Sequence, residues 1–123
     1  WLGAGERYRT LAVRLVGSRA ERARAEPTAH GALLRVCAQL AVPPRQLVLV
    51  GADPGDPLRA AAAHADAELV AFVSPAQAEA FAASGFTLFE GRGLHAGRAA
   101  AYDCHGFVCR LPVTEAAGLP RAR

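Results

Sequence analysis

The most pointed grouping of reactive side chains is Cys104-His105-Gly106-Phe107-Val108-Cys109. Two thiols with four residues between them are not the Cys-x-x-Cys of a thioredoxin-type redox pair, so their chemistry depends on the turn between them. A four-residue hairpin loop sets Cys104 opposite Cys109, with α-carbons about 5.5 Å apart or less, within disulfide reach. A two-residue turn at His105-Gly106 sets Cys104 against Phe107 instead and separates the pair. Three chemistries stay open. The thiols can be structural, which is the first reading. They can form a reversible or stabilising pair, with Cys104 and Cys109 as redox candidates and Arg110 and a partly protonated His105 as the cations that favour a thiolate. Joined by His95 and His105, they can also supply four zinc ligands. That is the weakest of the three, because neighbours on a strand point to opposite faces, and no metal site is expected. The third cysteine, Cys37, falls on an apolar helix stripe and reads as a small buried hydrophobe.

A second candidate is the loop Val50-Gly51-Ala52-Asp53-Pro54-Gly55-Asp56-Pro57. It follows an apolar run and precedes a helix, the place where open α/β sheets bind ligands and helix starts attract anions. Gly51, Asp53 and Asp56 are therefore weak anion-site candidates. The pattern is not Gly-x-Gly-x-x-Gly, and two carboxylates repel a pyrophosphate. Turn chemistry explains the loop more simply, with Gly51 as a turn residue, Asp56 as a helix cap and Pro57 in the first helical position. No cofactor is expected.

Absences narrow the field further. All 14 basic residues are arginine, so a P-loop lysine, a Schiff-base lysine and a Ser-Lys nucleophile are excluded within this chain. There is no Gly-x-Ser-x-Gly elbow, no His-Glu-x-x-His and no calcium loop. Asp66/Glu68 and Asp53/Asp56 are carboxylate pairs, but glycosidic chemistry needs two carboxylates across a cleft, and spacing alone does not place them so. Residues 1–45 carry eight Arg against three Glu, and residues 46–123 carry six Arg against eight acids. The basic half invites a nucleic-acid reading. Its arginines are spread around one helix, however, without the interleaved aromatic residues of a single-strand binder. A solvated helix face is the plainer explanation, and no specific nucleic acid is expected.

The elements that must position these residues follow from periodicity. Residues 5–25 read as a helix with Tyr8, Leu11, Ala12, Leu15 and Val16 on one stripe. Thr28 is placed to cap a second helix over 28–40, striped by Ala29, Ala32, Leu33, Val36, Cys37 and Leu40. Beyond Pro43-Pro44 the run Gln46–Gly51 reads as a strand covered on both faces. A helix from Pro57 follows, with Leu58, Ala61, Ala62 and Ala65 inward. Glu68–Val73 is a second strand, and Ser74-Pro75-Ala76-Gln77 has the capping-box pattern of another helix, with Ala78, Phe81 and Ala82 inward. Four glycines in 85–98 suggest an irregular surface connection. Residues 99–104 and 107–111 read as two short strands, and Thr114 as the cap of a last short helix. The fold class is therefore α/β. A helical hairpin (1–44) precedes a small C-terminal unit (45–123) with a three- or four-stranded, partly parallel sheet and flanking helices.

Twenty-nine alanines, no isoleucine and abundant Arg, Gly and Pro point to GC-rich coding, which discounts alanine and arginine as functional signals. No window approaches the roughly 20 apolar residues of a membrane span, and no membrane partner is expected. Trp1-Leu2-Gly3-Ala4-Gly5 lacks the pattern of a signal peptide. With no methionine in the chain, the sequence reads as a C-terminal piece of something longer.

Two segments carry a family resemblance. Ala99-Ala-Ala-Tyr-Asp-Cys-His-Gly-Phe-Val-Cys-Arg-Leu-Pro-Val-Thr114, preceded by Leu47-Val-Leu-Val-Gly-Ala-Asp-Pro-Gly-Asp-Pro57, resembles the C-terminal end of the thioredoxin-domain-containing family that includes spermatogenesis-associated protein 20. Tyr102, Cys104, Phe107, Cys109, Pro112, Val113 and Thr114 keep one family pattern. Val50, Gly51, Asp53, Pro54, Asp56 and Pro57 keep the other, and Glu6–Ala12 is similar to the family's leading helix. Asp103, His105 and Gly106 depart from the pattern. The resemblance implies a full-length cytoplasmic protein with an N-terminal thioredoxin-like domain and a helical toroid of the six-hairpin glycosidase kind. Its reaction, carbohydrate-related or redox, is undefined. The present chain then supplies the closing helical hairpin and a non-catalytic C-terminal unit whose partner is the missing N-terminal portion of its own parent chain. The alternative is a redox or disulfide-forming module using Cys104 and Cys109.

Overall fold

The structure, a computed structural model, describes residues 2–3 and 6–119. The chain divides into two compact units, Gly5–Pro43 and Pro44–Arg123 together with Trp1–Ala4. Leu2 and Gly3 join the second unit because their carbonyls accept hydrogen bonds from the Leu88 and Thr87 amides, both at 3.3 Å.

In the first unit, α1 (Glu6–Ala25) and α2 (Gly31–Ala41) are joined by a 3-10 turn over Pro27–His30. The expected start at Gly5 lies outside the described residues. Thr28 sits inside the 3-10 turn and does not cap α2; His30 is the residue before the helix, with no side-chain cap bond. Pro27 opens that turn, so Thr28 is already committed to a helical bend, where a cap needs an extended backbone. The expected stripe on α1 also divides. Ala12 and Val16 are half-buried, but Tyr8, Leu11 and Leu15 face solvent. On α2, Leu33, Val36, Cys37 and Leu40 are half-buried.

The second unit is a four-stranded mixed sheet, and the protein is an α/β fold. Its strands are β1 (Arg45–Val50), β2 (Leu69–Val73), β3 (Ala100–His105) and β4 (Val108–Cys109), in the order β2-β1-β3-β4. β1 runs parallel to β2, joined through α3 (Pro57–Ala63), and antiparallel to β3. That placement explains the unbroken apolar run in β1: a strand paired on both edges and covered on both faces has no polar side, and Gln46 to Val50 are all buried. Alternation then sorts the neighbours. Val48, Val50, Ala100, Tyr102 and Cys104 pack with Ala78 of α4 (Pro75–Ala83) on one face. Leu47, Leu49 and Ala101 pack with Leu58 and Ala62 of α3 and with Leu119 on the other.

The local start signals hold. Asp56 accepts from the Leu58 amide at 2.8 Å, and Pro57 opens α3. Ser74 and Gln77 form a reciprocal capping box on α4, at 3.1 and 2.8 Å. The segment 85–98 is not a surface connection throughout. It contains a 3-10 turn at Thr87–Phe89 that drives Leu88 and Phe89 into the core, while Phe81, expected inward, stays 39% exposed and meets Phe86 and Phe89 at the margin. The final turn is a short 3-10 at Ala116–Gly118 preceded by Glu115, and Thr114 caps nothing.

Candidate functional site

The cysteine hairpin is positioned by its turn. Gly106 and Phe107 both have positive φ, 54° and 73°, the pattern of a type I′ two-residue turn whose twist suits a tight hairpin. The turn thus lies one residue beyond His105-Gly106. That shift pairs His105 with Val108 and brings Cys104 opposite Cys109. A two-residue turn and facing cysteines, which the sequence sets against each other, are both present. Cys104 and Cys109 are joined by a disulfide. Cys37 is free and half-buried.

Phe107 is an unusual occupant of a left-handed position, because a side chain at positive φ crowds its own backbone. Two bonds from the sheet hold the turn in place. The Gly106 amide donates to the Pro44 carbonyl at 2.9 Å, and the Phe107 amide donates to Oε1 of the buried Gln46 at 3.2 Å. Gln46 pairs with Cys104 in the sheet register, so a polar side chain in a strand of apolar ones serves as the anchor for the tip. On the opposite face, Arg45 grips Asp103 through Nε (3.1 Å) and Nη2 (3.4 Å). The Arg45 amide also donates to Glu68 at 2.7 Å.

The two sulfurs have different surroundings. Cys104 is fully buried within the apolar cluster of Val48, Val50 and Tyr102. Cys109 is half-buried on β4, the outer strand of the sheet. Arg92 Nη2 donates to Cys109 Sγ at 2.9 Å, and its guanidinium carbon lies 5.3 Å from the centre of the Tyr102 ring. The Tyr102 hydroxyl donates to the Gly93 carbonyl at 2.9 Å and accepts from the Gly93 amide at 3.3 Å, fixing the segment that carries Arg92. Arg110 and His105, the cations expected beside the thiols, belong by strand alternation to the other side of the hairpin. Arg92 stands in their place. It is 17 residues from Cys109, and no local pattern links the two.

No protein-family model, curated protein or solved structure matches the chain.

The other candidates disperse. Gly51 has φ +76° and closes β1, its amide donating to the Val73 carbonyl, and a side chain there would collide with Leu94. Asp56 is engaged as the α3 cap, and Asp53 is exposed, its carbonyl accepting from the Asp56 amide. His95 pairs with Arg98 across its own tight turn. Among the described residues there is no group of three or more His, Cys, Asp or Glu side chains able to hold a metal, and no helix is long and apolar enough to cross a membrane.

Proposed function

We propose that this chain is the non-catalytic C-terminal portion of a cytoplasmic protein of the thioredoxin-domain-containing family that includes spermatogenesis-associated protein 20. In this reading α1 and α2 close a six-hairpin toroid of the glycosidase kind, and the sheet unit packs as its terminal appendage. The parent's reaction is carbohydrate-related or redox, and its reacting groups lie outside this chain. The resemblance of residues 47–57 and 99–114 motivates the proposal.

One structural observation supports it most. In the 31 residues of α1 and α2, Ala23 alone is buried, while Tyr8, Leu11 and Leu15 are 66%, 50% and 60% exposed. Helices draw most of their stability from packing an apolar face, and this pair leaves much of its apolar surface unspent. A neighbouring layer of helices is the covering such a pair requires. The arginines around α1 fit the same picture as solvated charges, and any nucleic-acid affinity should be unselective and lost steeply with salt.

Two measurements test the reading. The coding sequence upstream of Trp1 should specify a thioredoxin-like segment followed by helical hairpins; an initiator codon immediately before Trp1 overturns the proposal. In solution, the 123-residue chain should bind a hydrophobic dye or self-associate. A monodisperse, dye-silent monomer that unfolds in one cooperative step contradicts the uncovered hairpin.

A further inference from the structure

We propose that Cys104–Cys109 is an asymmetric thiol–disulfide exchange site, in which Cys109 is the sulfur that exchanges with an external thiol or disulfide, Cys104 is the buried resolving sulfur, and Arg92 holds the charge on Cys109. The argument begins with access. Exchange requires a thiolate to approach one sulfur of the bond. Cys104 is closed off at 0% exposure, whereas Cys109 is partly open on the outer strand. Charge favours the same atom once the bond is open, as nucleophile toward an external disulfide and as leaving group in the second displacement, while the first attack on Cys109 is directed by access. The Arg92 guanidinium lies 2.9 Å from Cys109 Sγ, and a cation in that position stabilises the thiolate that acts as nucleophile or leaving group. Cys104 instead sits among apolar side chains, where charge is disfavoured. Arg92 Nε is itself buried without a hydrogen-bond partner, so the guanidinium is not satisfied by protein acceptors at every position.

The exchange balances with two equivalents of a low-molecular thiol such as glutathione. The first thiolate attacks Cys109 Sγ. A new sulfur–sulfur bond forms, the Cys104–Cys109 bond breaks, and its electron pair goes to Cys104 Sγ, which takes up a proton. The second thiolate attacks the glutathione sulfur of this mixed disulfide. Cys109 leaves as a thiolate facing Arg92, and glutathione disulfide departs. The protein gains two electrons and the two thiols lose them. Run backwards, the same steps let the reduced hairpin reduce an external disulfide through Cys109.

Arg92 is a positioning residue in this scheme, so its test must read more than folding. The inference does not depend on the family proposal, because every group involved lies within the chain. With the unsubstituted chain, acid quenching during reduction by glutathione, followed by peptide mapping, should find the adduct on Cys109. In a Cys37→Ala background, Cys104→Ser should accept glutathione from glutathione disulfide at Cys109, and Cys109→Ser should react far more slowly at Cys104. Replacing Arg92 with Met should shift the equilibrium with glutathione toward the disulfide by about tenfold, the worth of one charge-assisted hydrogen bond, and Arg92→Lys should restore most of it. The proposal is overturned by an adduct mapped to Cys104, by a disulfide that glutathione does not open in the folded chain, or by an equilibrium unchanged in the Met variant.

Discussion

The sheet unit and the helical pair are built from similar materials and end in opposite conditions. Both are rich in alanine and valine-sized side chains. In β1 every residue from Gln46 to Val50 is buried, while α1, more than three times as long, buries Ala23 alone. The difference lies in the number of covering layers. β1 has strands on two edges and helices on two faces, so even small side chains lose their water. A helix beside one other helix covers a single stripe, and alanine adds little there. Burial in this protein is a property of position in the architecture more than of composition.

Substitutions should widen or erase that contrast. The largest effect belongs to β1: Leu49→Ala removes a side chain only 1% exposed and should cost about 2–5 kcal/mol in denaturant unfolding. A loss under 1 kcal/mol would mean the sheet core can collapse around the gap and is less specified than its burial implies. Next is the ion pair beneath the hairpin. Asp103→Ala leaves Arg45 without its bidentate partner in a site where the two side chains are 7% and 20% exposed; the expected cost is about 1–3 kcal/mol, below that of a fully desolvated pair. Removing the α3 cap with Asp56→Ala should cost about 1 kcal/mol and leave the rest of the unit folded, as read by amide exchange in β1. At the small end, Leu15→Ala on α1 should change the stability of this chain by no more than about 0.5 kcal/mol. The same substitution in a longer parent protein should cost clearly more if neighbouring helices cover that face. Equal small effects in both settings would remove the argument for a missing layer.

The readable parts of this fold were those decided within a few residues. Asp56-Pro57 and Ser74-Pro75-Ala76-Gln77 announce helix starts because the capping atoms and the amides they satisfy are neighbours in sequence. The strand at 45–50 was legible because its apolar run has only one environment that suits it. The failures have the opposite character. Thr28 looked like a cap, but Pro27 had already begun a 3-10 turn. Glycine density over 85–98 suggested surface, yet Leu88 and Phe89 are pulled inward by the core they complete. The hairpin register turned on Phe107 taking a positive φ, which nothing in a phenylalanine side chain signals; two hydrogen bonds donated by the Gly106 and Phe107 amides to the Pro44 carbonyl and Gln46 Oε1, some sixty residues away, accompany it. Arg92 reaches Cys109 only through the folded path of the chain. The cysteines themselves were conspicuous, whereas the partner that distinguishes one sulfur from the other was not.

The position of β1 also has a consequence for how the chain is made. Val48 pairs with Ala71 in β2 and with Tyr102 in β3. As the polypeptide leaves the ribosome, β1, α3 and β2 are available well before β3. Until β3 arrives, one side of the most apolar strand presents unpaired amides and carbonyls, the template on which strands from other nascent chains can add. Closure of the sheet must therefore wait until β3 has been synthesised, and a ribosome stalled between residues 75 and 100 should release a product that aggregates through Leu47–Val50 where a chain carrying β3 does not pair through that strand.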